Sequence, residues 1–217
     1  RISKDCFPTS FPKERKEKMF DVHRYTAHTM FGVKMEDVSD KQRKVGKTLR
    51  HATNYSAGPQ VIANALKCPL DVAKKLLTVY LRANPNLEVW HKQIQQQLSA
   101  GRTLTTPLGR KHMFLERWGD TLFRSAYSYI PQSTIGDLLN MSMVKFYEEY
   151  GRKRGLYLQL HDAIYVFAEE SEVDDTMREM RRCMIRPILI NGHEVKVDVD
   201  FKVGKYWGEM EEINYAI

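Results

Sequence analysis

The hydrophobic period of this chain changes near residue 102, and that change constrains the fold more than any single motif. Upstream, apolar residues recur at spacings of three and four, as in Leu87, Trp90, Ile94 and Leu98, which is the period of a helix with one buried face. Just downstream, Thr103-Leu104-Thr105-Thr106 and Lys111-His112-Met113-Phe114 flank Pro107-Leu108-Gly109-Arg110. Two β-prone runs around a turn rich in Pro and Gly read as a β-hairpin. Helices followed by hairpins imply an α+β architecture in one or two subdomains, with a domain border near residue 102.

Helices are predicted at 21–30, closed by Phe31-Gly32-Val33, and at 60–67, 70–83, 86–100, 119–149 and 171–186. Pro131 falls inside the long stretch and should kink or restart it, because proline lacks the amide donor and crowds the preceding turn. Leu156-Tyr157-Leu158-Gln159-Leu160 and Ile164-Tyr165-Val166-Phe167 read as strands joined tightly through His161-Asp162-Ala163. The alternation Val195-Lys196-Val197-Asp198-Val199-Asp200-Phe201 predicts a last strand, with Asp198 and Asp200 on its wet face. Residues 1–20 are polar, basic and Pro-bearing, which suits an exposed connector.

Between the first two helices' worth of sequence lies the most chemical segment. Ser39 with Gln42 forms a capping box and Gly58-Pro59 a stop, so one helix of about four to five turns is expected between them. It carries Arg43, Lys47, His51 and Tyr55 at four-residue intervals, a gently wrapping row about 18 Å long. Two cations lie toward the helix start, where the backbone dipole also favours anions, and an aromatic ring lies at the far end. A nucleoside triphosphate matches that row, phosphates at one end and base at the other. A solvated basic face ending in a core tyrosine is the plainer alternative.

Charge agrees with an anionic partner: 34 Lys and Arg against 27 Asp and Glu leave +7 at neutral pH. Cys6, Cys68 and Cys183 are far apart with no paired spacing, so they form neither a disulfide framework nor a metal site, and a reducing compartment is expected. No apolar run reaches the roughly 18 residues needed to span a bilayer. At the hairpin turn, Asp162 beside His161 would hold a carboxylate at a sheet end, where it suits Mg²⁺, although one aspartate does not make a two-metal site.

Taken in order, these segments resemble the family A DNA polymerases, the bacterial DNA polymerase I and phage replicative type. The matching pieces are Asp21-Val22-His23 with Thr26-Ala27 and Phe31-Gly32-Val33, Arg43 through Gly58, Thr106-Pro107-Leu108-Gly109-Arg110, Pro131-Gln132-Ser133-Thr134 with Asp137-Leu138, His161-Asp162, and Val203-Gly204 with Trp207. The resemblance implies a helical fingers subdomain over 21–101 and the C-terminal half of an antiparallel-sheet palm over 102–217, after a connector at 1–20. It implies that Arg43 and Lys47 hold the incoming dNTP triphosphate with help from His23 at the outer phosphates. His51 would pack on the nucleotide sugar and Tyr55 would stack near the template base. Arg124 and Gln132 would touch primer or template, His161 a primer-end phosphate, and Asp162 a catalytic metal. The implied reaction is DNA-directed DNA synthesis by two Mg²⁺ ions, with Mn²⁺ as a substitute.

The family's first metal motif, Asp-x-Ser-x-x-Glu-x-Arg, is expected upstream of Asp21 and is absent, as is the thumb. Asp37 to Arg43 imitates it for three positions but carries Gln42 where the glutamate should be. The chain alone is therefore expected not to polymerise DNA. A second polypeptide should supply the other aspartate, thumb and an added strand on the exposed palm edge, as in a split, phage-encoded polymerase; a fragment of a longer chain fits as well. A soluble protein of the bacterial or phage-infected cytoplasm, with no membrane partner, follows from this reading. A non-catalytic nucleic-acid-binding remnant of the fold is the alternative. His51 stands where an aromatic is usual, Ser56 where glycine is usual, and Ala163 where an acid is common. The expectation from His51 is nucleotide affinity that depends on pH.

Overall fold

A computed structural model describes residues 21–213, so the 1–20 connector and Cys6 lie outside the described residues. The chain divides into two compact units. Of the described residues, one holds those up to Thr105 together with Lys111–Pro131, and the other holds Thr106–Arg110 with those from Gln132 onward.

The first unit is mostly helical. Helix α1 (Val22–Phe31) starts where the Asp21 carboxylate accepts the His23 and Arg24 amides, and it ends at Gly32, whose φ of 64° is left-handed. Helix α2 (Asp40–Asn54) opens with the expected capping box between Ser39 and Gln42. The two helices cross at Gly46. A side-chain carbon there would lie 2.6 Å from the His23 carbonyl oxygen and 2.9 Å from the Ala27 amide nitrogen, so the backbones touch and only glycine fits.

Helices α3 (Pro59–Leu66), α4 (Leu70–Ala83) and α5 (Pro85–Gly101), the hairpin β1 (Thr103–Thr105) with β2 (Lys111–Met113), and the start of α6 (Asp120–Tyr150) complete this unit. The helical stripe of α5 behaves as its period predicts, with Leu87, Trp90, Ile94 and Leu98 all buried. They join Leu49, Ile62, Tyr80, Leu104, Phe114 and Tyr127 in one continuous core. Within it, the end of α2 is tied down: the Tyr80 hydroxyl donates to Asn54 Oδ1 at 2.8 Å, and His91 Nε2 meets the Asn54 carbonyl oxygen at 2.9 Å. The His91 ring also stacks on Tyr127 at 3.8 Å.

The second unit is built on the rest of α6, helix α7 (Val173–Met184) and three antiparallel ribbons. These are β3 (Gly155–Leu160) with β4 (Ala163–Phe167), β5 (Ile188–Ile190) with β6 (His193–Val195), and β7 (Phe201–Val203) with β8 (Glu211–Ile213). Among the described residues each strand pairs with one partner alone. A small core of Leu138, Ile188 and Ile190 is backed by Leu108 and Ile135. Arg154, 5% exposed, is bound by Glu172 and Glu179, which neutralises the one buried guanidinium of this unit's described residues. The α+β class read from the sequence is the class observed.

Two local expectations fail, and of the two outcomes expected at Pro131 the restart does not occur. Val195–Phe201 is not one strand: residues 196–200 are unpaired between two ribbons. Period-two alternation needs a partner ladder, and here the Asp198 carboxylate accepts the Val199 amide at 2.9 Å and pairs with Arg181 instead. Helix α2 stops at Asn54, not at Gly58, because Ser56 turns left-handed at φ 59°. Gly58 and Pro59 instead start α3. Finally, α6 runs through Pro131 as one helix of 31 residues without restarting.

Candidate functional site

Four of the residues singled out by sequence meet where α1 crosses α2 in the first unit. Arg43 Nε donates to Asp21 Oδ2 at 2.7 Å, while Asp21 Oδ1 accepts the His23 and Arg24 amides at 3.0 and 2.9 Å. Burial alone would raise the Asp21 pKa, but the Arg43 hydrogen bond, its charge and the two amides together lower it below the ordinary carboxylate value. Among the described residues the terminal nitrogens of Arg43 have no partner. Lys47 lies one turn along and is exposed.

The His23 and His51 rings lie 5.5 Å apart, tilted by 47°. Burial, followed by the neighbouring His51 and Arg43 charges, pushes His23 down to about 4. Burial and then Lys47 and Arg50 lower His51 as well. Both rings are therefore neutral at pH 7. His23 Nδ1 is buried without a hydrogen-bond partner among the described residues, and a buried polar atom left unpaired costs stability. The arrangement is a pair of cations and two imidazoles around the crossing, all registered by Gly46.

Tyr55 stands apart from the regular row. As the residue that ends α2, with φ −101°, it no longer follows the four-residue period, and its ring is half-buried against the core. The stripe therefore runs regularly through Arg43, Lys47 and His51 only. Arg124 and Gln132 are both exposed on α6.

The second unit holds His161 and Asp162 as the two turn residues between paired Leu160 and Ala163. Both are exposed, and His161 has a left-handed φ of 53°. A β-carbon residue pays for that conformation, a cost of order 1 kcal/mol that often marks a functional turn. Asp162 has no hydrogen bond or ion pair with another described residue, and among the described residues no group of three or more His, Cys, Asp or Glu is placed to hold a metal. One carboxylate suits a hard cation but does not make its site.

Sequence reasoning passed over several residues that shape these places. In the sequence Asp21 stands only as the first residue of a predicted helix. Gly46 reads as an ordinary mid-helix glycine. Arg110 donates through Nε to Asp137 Oδ1 at 2.8 Å in the second unit, although both residues sit in segments already singled out. Opposite charges 27 positions apart leave no periodic trace.

The sequence model of DNA polymerase family A matches residues 9–209. The chain is 28% identical over 204 residues to a DNA polymerase I of Chloroflexus aurantiacus, covering 89% of this chain and 21% of that protein. It is 25% identical over 206 residues to the thermostable DNA polymerase I of Thermus aquaticus, covering 88% and 24%. It is 25% identical over 202 residues to a DNA polymerase I of Aquifex aeolicus, covering 86% and 33%. The chain thus spans a fifth to a third of the length of these relatives. Its fold is similar to the POL domain of Pol1 from M. smegmatis in complex with DNA primer-template and dNTP, with a TM-score of 0.67 at 19% identity over 75% of this chain and 30% of that one. No helix among the described residues is long and apolar enough to cross a membrane.

Proposed function

The chain belongs to DNA polymerase family A, and from that premise we propose that it supplies the nucleotide-holding and part of the catalytic surface for template-directed DNA synthesis. The observation that carries the reading is the α1–α2 crossing, where Arg43, Lys47, His23 and His51 are held together by backbone contact at Gly46. In this reading residues 21–101 are the fingers and 102–217 the C-terminal palm half. Arg43 and Lys47 bind the triphosphate of a dNTP, bidentate guanidinium and point-charge ammonium complementing each other. His23 donates a hydrogen bond to the outer phosphates, His51 packs on the sugar, and Tyr55 lies toward the template base.

Arg124, Gln132 and His161 are assigned to the primer-template. Asp162 offers one carboxylate to a divalent ion, Mg²⁺ by its oxygen chemistry with Mn²⁺ as a substitute. The described residues do not complete such a site, so its other ligands must come from elsewhere: a second polypeptide or further sequence of the same protein, together with substrate phosphates. Bound there, the metal would lower the pKa of an attacking hydroxyl and support the leaving group.

The solitary Asp162 also gives the second reading its footing: a DNA-binding remnant that no longer catalyses. Copurification from the native source followed by primer extension separates the two. Extension that needs a copurifying chain and disappears with Asp162→Ala supports the polymerase. DNA binding without extension, indifferent to Asp162, supports the remnant.

A further inference from the structure

We infer that Asp21 is a positioning residue for Arg43: one carboxylate oxygen caps α1 while the other grips Arg43 Nε, leaving both terminal guanidinium nitrogens to an incoming phosphate. The inference rests on the nucleotide-holding role proposed above for Arg43.

Geometry makes the case. The Asp21 carboxylate is itself fixed, because Oδ1 accepts two backbone amides, at 3.0 Å from His23 and 2.9 Å from Arg24. Its second oxygen meets Arg43 Nε at 2.7 Å. A guanidinium is planar, so anchoring Nε leaves little beyond rotation about one bond, and the outer fork of Nη1 and Nη2 keeps the spacing that matches a phosphate. Arg43 without this grip would be a long side chain with several rotamers to lose on binding. The same cap begins the helix that carries His23, whose ring faces His51. One carboxylate thereby sets Arg43 in register with the imidazole pair. The Gly46 crossing makes that register stiff, because α1 and α2 meet there backbone to backbone.

Two plainer accounts give different predictions. If the Asp21–Arg43 pair were an idle surface ion pair, removing it would change nothing. If Asp21 acted only through its negative charge, it would repel a polyphosphate, and neutralising it would tighten binding. Positioning predicts weaker binding when the charge is removed, the opposite sign.

The test is a double-mutant cycle on the full chain, with inorganic tripolyphosphate as the probe and isothermal titration as the readout. Asp21→Asn keeps the shape of the side chain; Asp21→Ser keeps a good helix cap but cannot reach Arg43. Both variants should bind tripolyphosphate about fivefold to tenfold more weakly, the scale of one misdirected charge-assisted contact. In an Arg43→Ala background, neither should weaken it further. Unchanged or tighter binding by the two single variants overturns the inference, as does an equal further loss when Arg43 is already absent, which would mark a purely structural effect. Wild-type binding indifferent to Arg43→Ala and Lys47→Ala together would instead overturn the nucleotide-holding role itself. Those results are distinguishable, since the first two leave the Arg43 and Lys47 losses in place.

Discussion

The α1–α2 crossing and the β3–β4 turn carry the two halves of the proposed chemistry, and they are built in opposite ways. At the crossing the protein itself sets the geometry: Arg43 is held by Asp21, the two helices are registered by Gly46, and the start of α2 is fixed by its capping box. At the turn, His161 and Asp162 are exposed and Asp162 has no described partner. Preorganised donors lose little freedom when an anion arrives, so the crossing is equipped to bind by itself. A lone carboxylate on a turn is equipped only to be completed. The difference teaches that triphosphate binding and catalysis should separate experimentally in this chain.

The largest effect that separation predicts is at Asp162. In the assembly purified from the native source, Asp162→Ala should reduce the rate of primer extension by about a thousandfold, the scale of losing a principal electrostatic stabiliser. The same substitution should leave tripolyphosphate binding by the chain within about twofold of wild type, as a change at an exposed turn residue that makes none of the proposed phosphate contacts does. An equal loss in both assays would break the comparison.

Next is the crossing itself. Gly46→Ala pushes a methyl group into the His23 carbonyl and the Ala27 amide, and backbone does not yield as a side chain does. Thermal denaturation should show a loss of about 1–3 kcal/mol, as in overpacked cores. A smaller loss follows at Lys47, where alanine removes an exposed ammonium and should weaken tripolyphosphate binding about tenfold without moving the melting temperature, as loss of a charge-assisted contact implies.

The pH dependence sharpens the contrast further. His23, at about 4, and His51, below its usual 6.5, are neutral in the free chain. The groups facing them are Asp21, Arg43, Lys47 and Arg50, and an added polyphosphate supplies the missing negative charge. Binding therefore takes up protons, and affinity should rise as pH falls from 8.5 to 6, which titration calorimetry across that range would show; a flat profile contradicts it. Stability moves the other way. The folded His23 pKa lies below its unfolded value of 6.5, so its contribution is complete above that pH and is lost as pH falls toward 4. The smallest predicted effect is Asp198→Asn, which should alter stability by no more than about 0.5 kcal/mol and leave extension intact, since Asp198 accepts the Val199 amide and pairs with Arg181 in an exposed loop.

Much of this was legible in the residues because it is local. The Ser39 cap, the period of α5 and the tight connection at His161-Asp162 all arise from neighbours in sequence. What escaped depends on partners distant along the chain or on a single dihedral. Asp21 is 22 residues from Arg43, and a cap needs only one of its oxygens, so nothing local announces the second. Tyr55 left the helical row because Ser56 adopts φ 59°, a conformation that glycine signals and serine hides. Val195–Phe201 had the right alternation but no ladder to join.

The central claim, that α2 holds a nucleotide by its phosphates, is tested most directly by titrating the full chain with a dNTP and asking whether inorganic tripolyphosphate competes. The account predicts saturable binding, displaced by tripolyphosphate and lost when Arg43 and Lys47 are both replaced by alanine. Binding that tripolyphosphate does not displace, or that survives the double replacement, would contradict it.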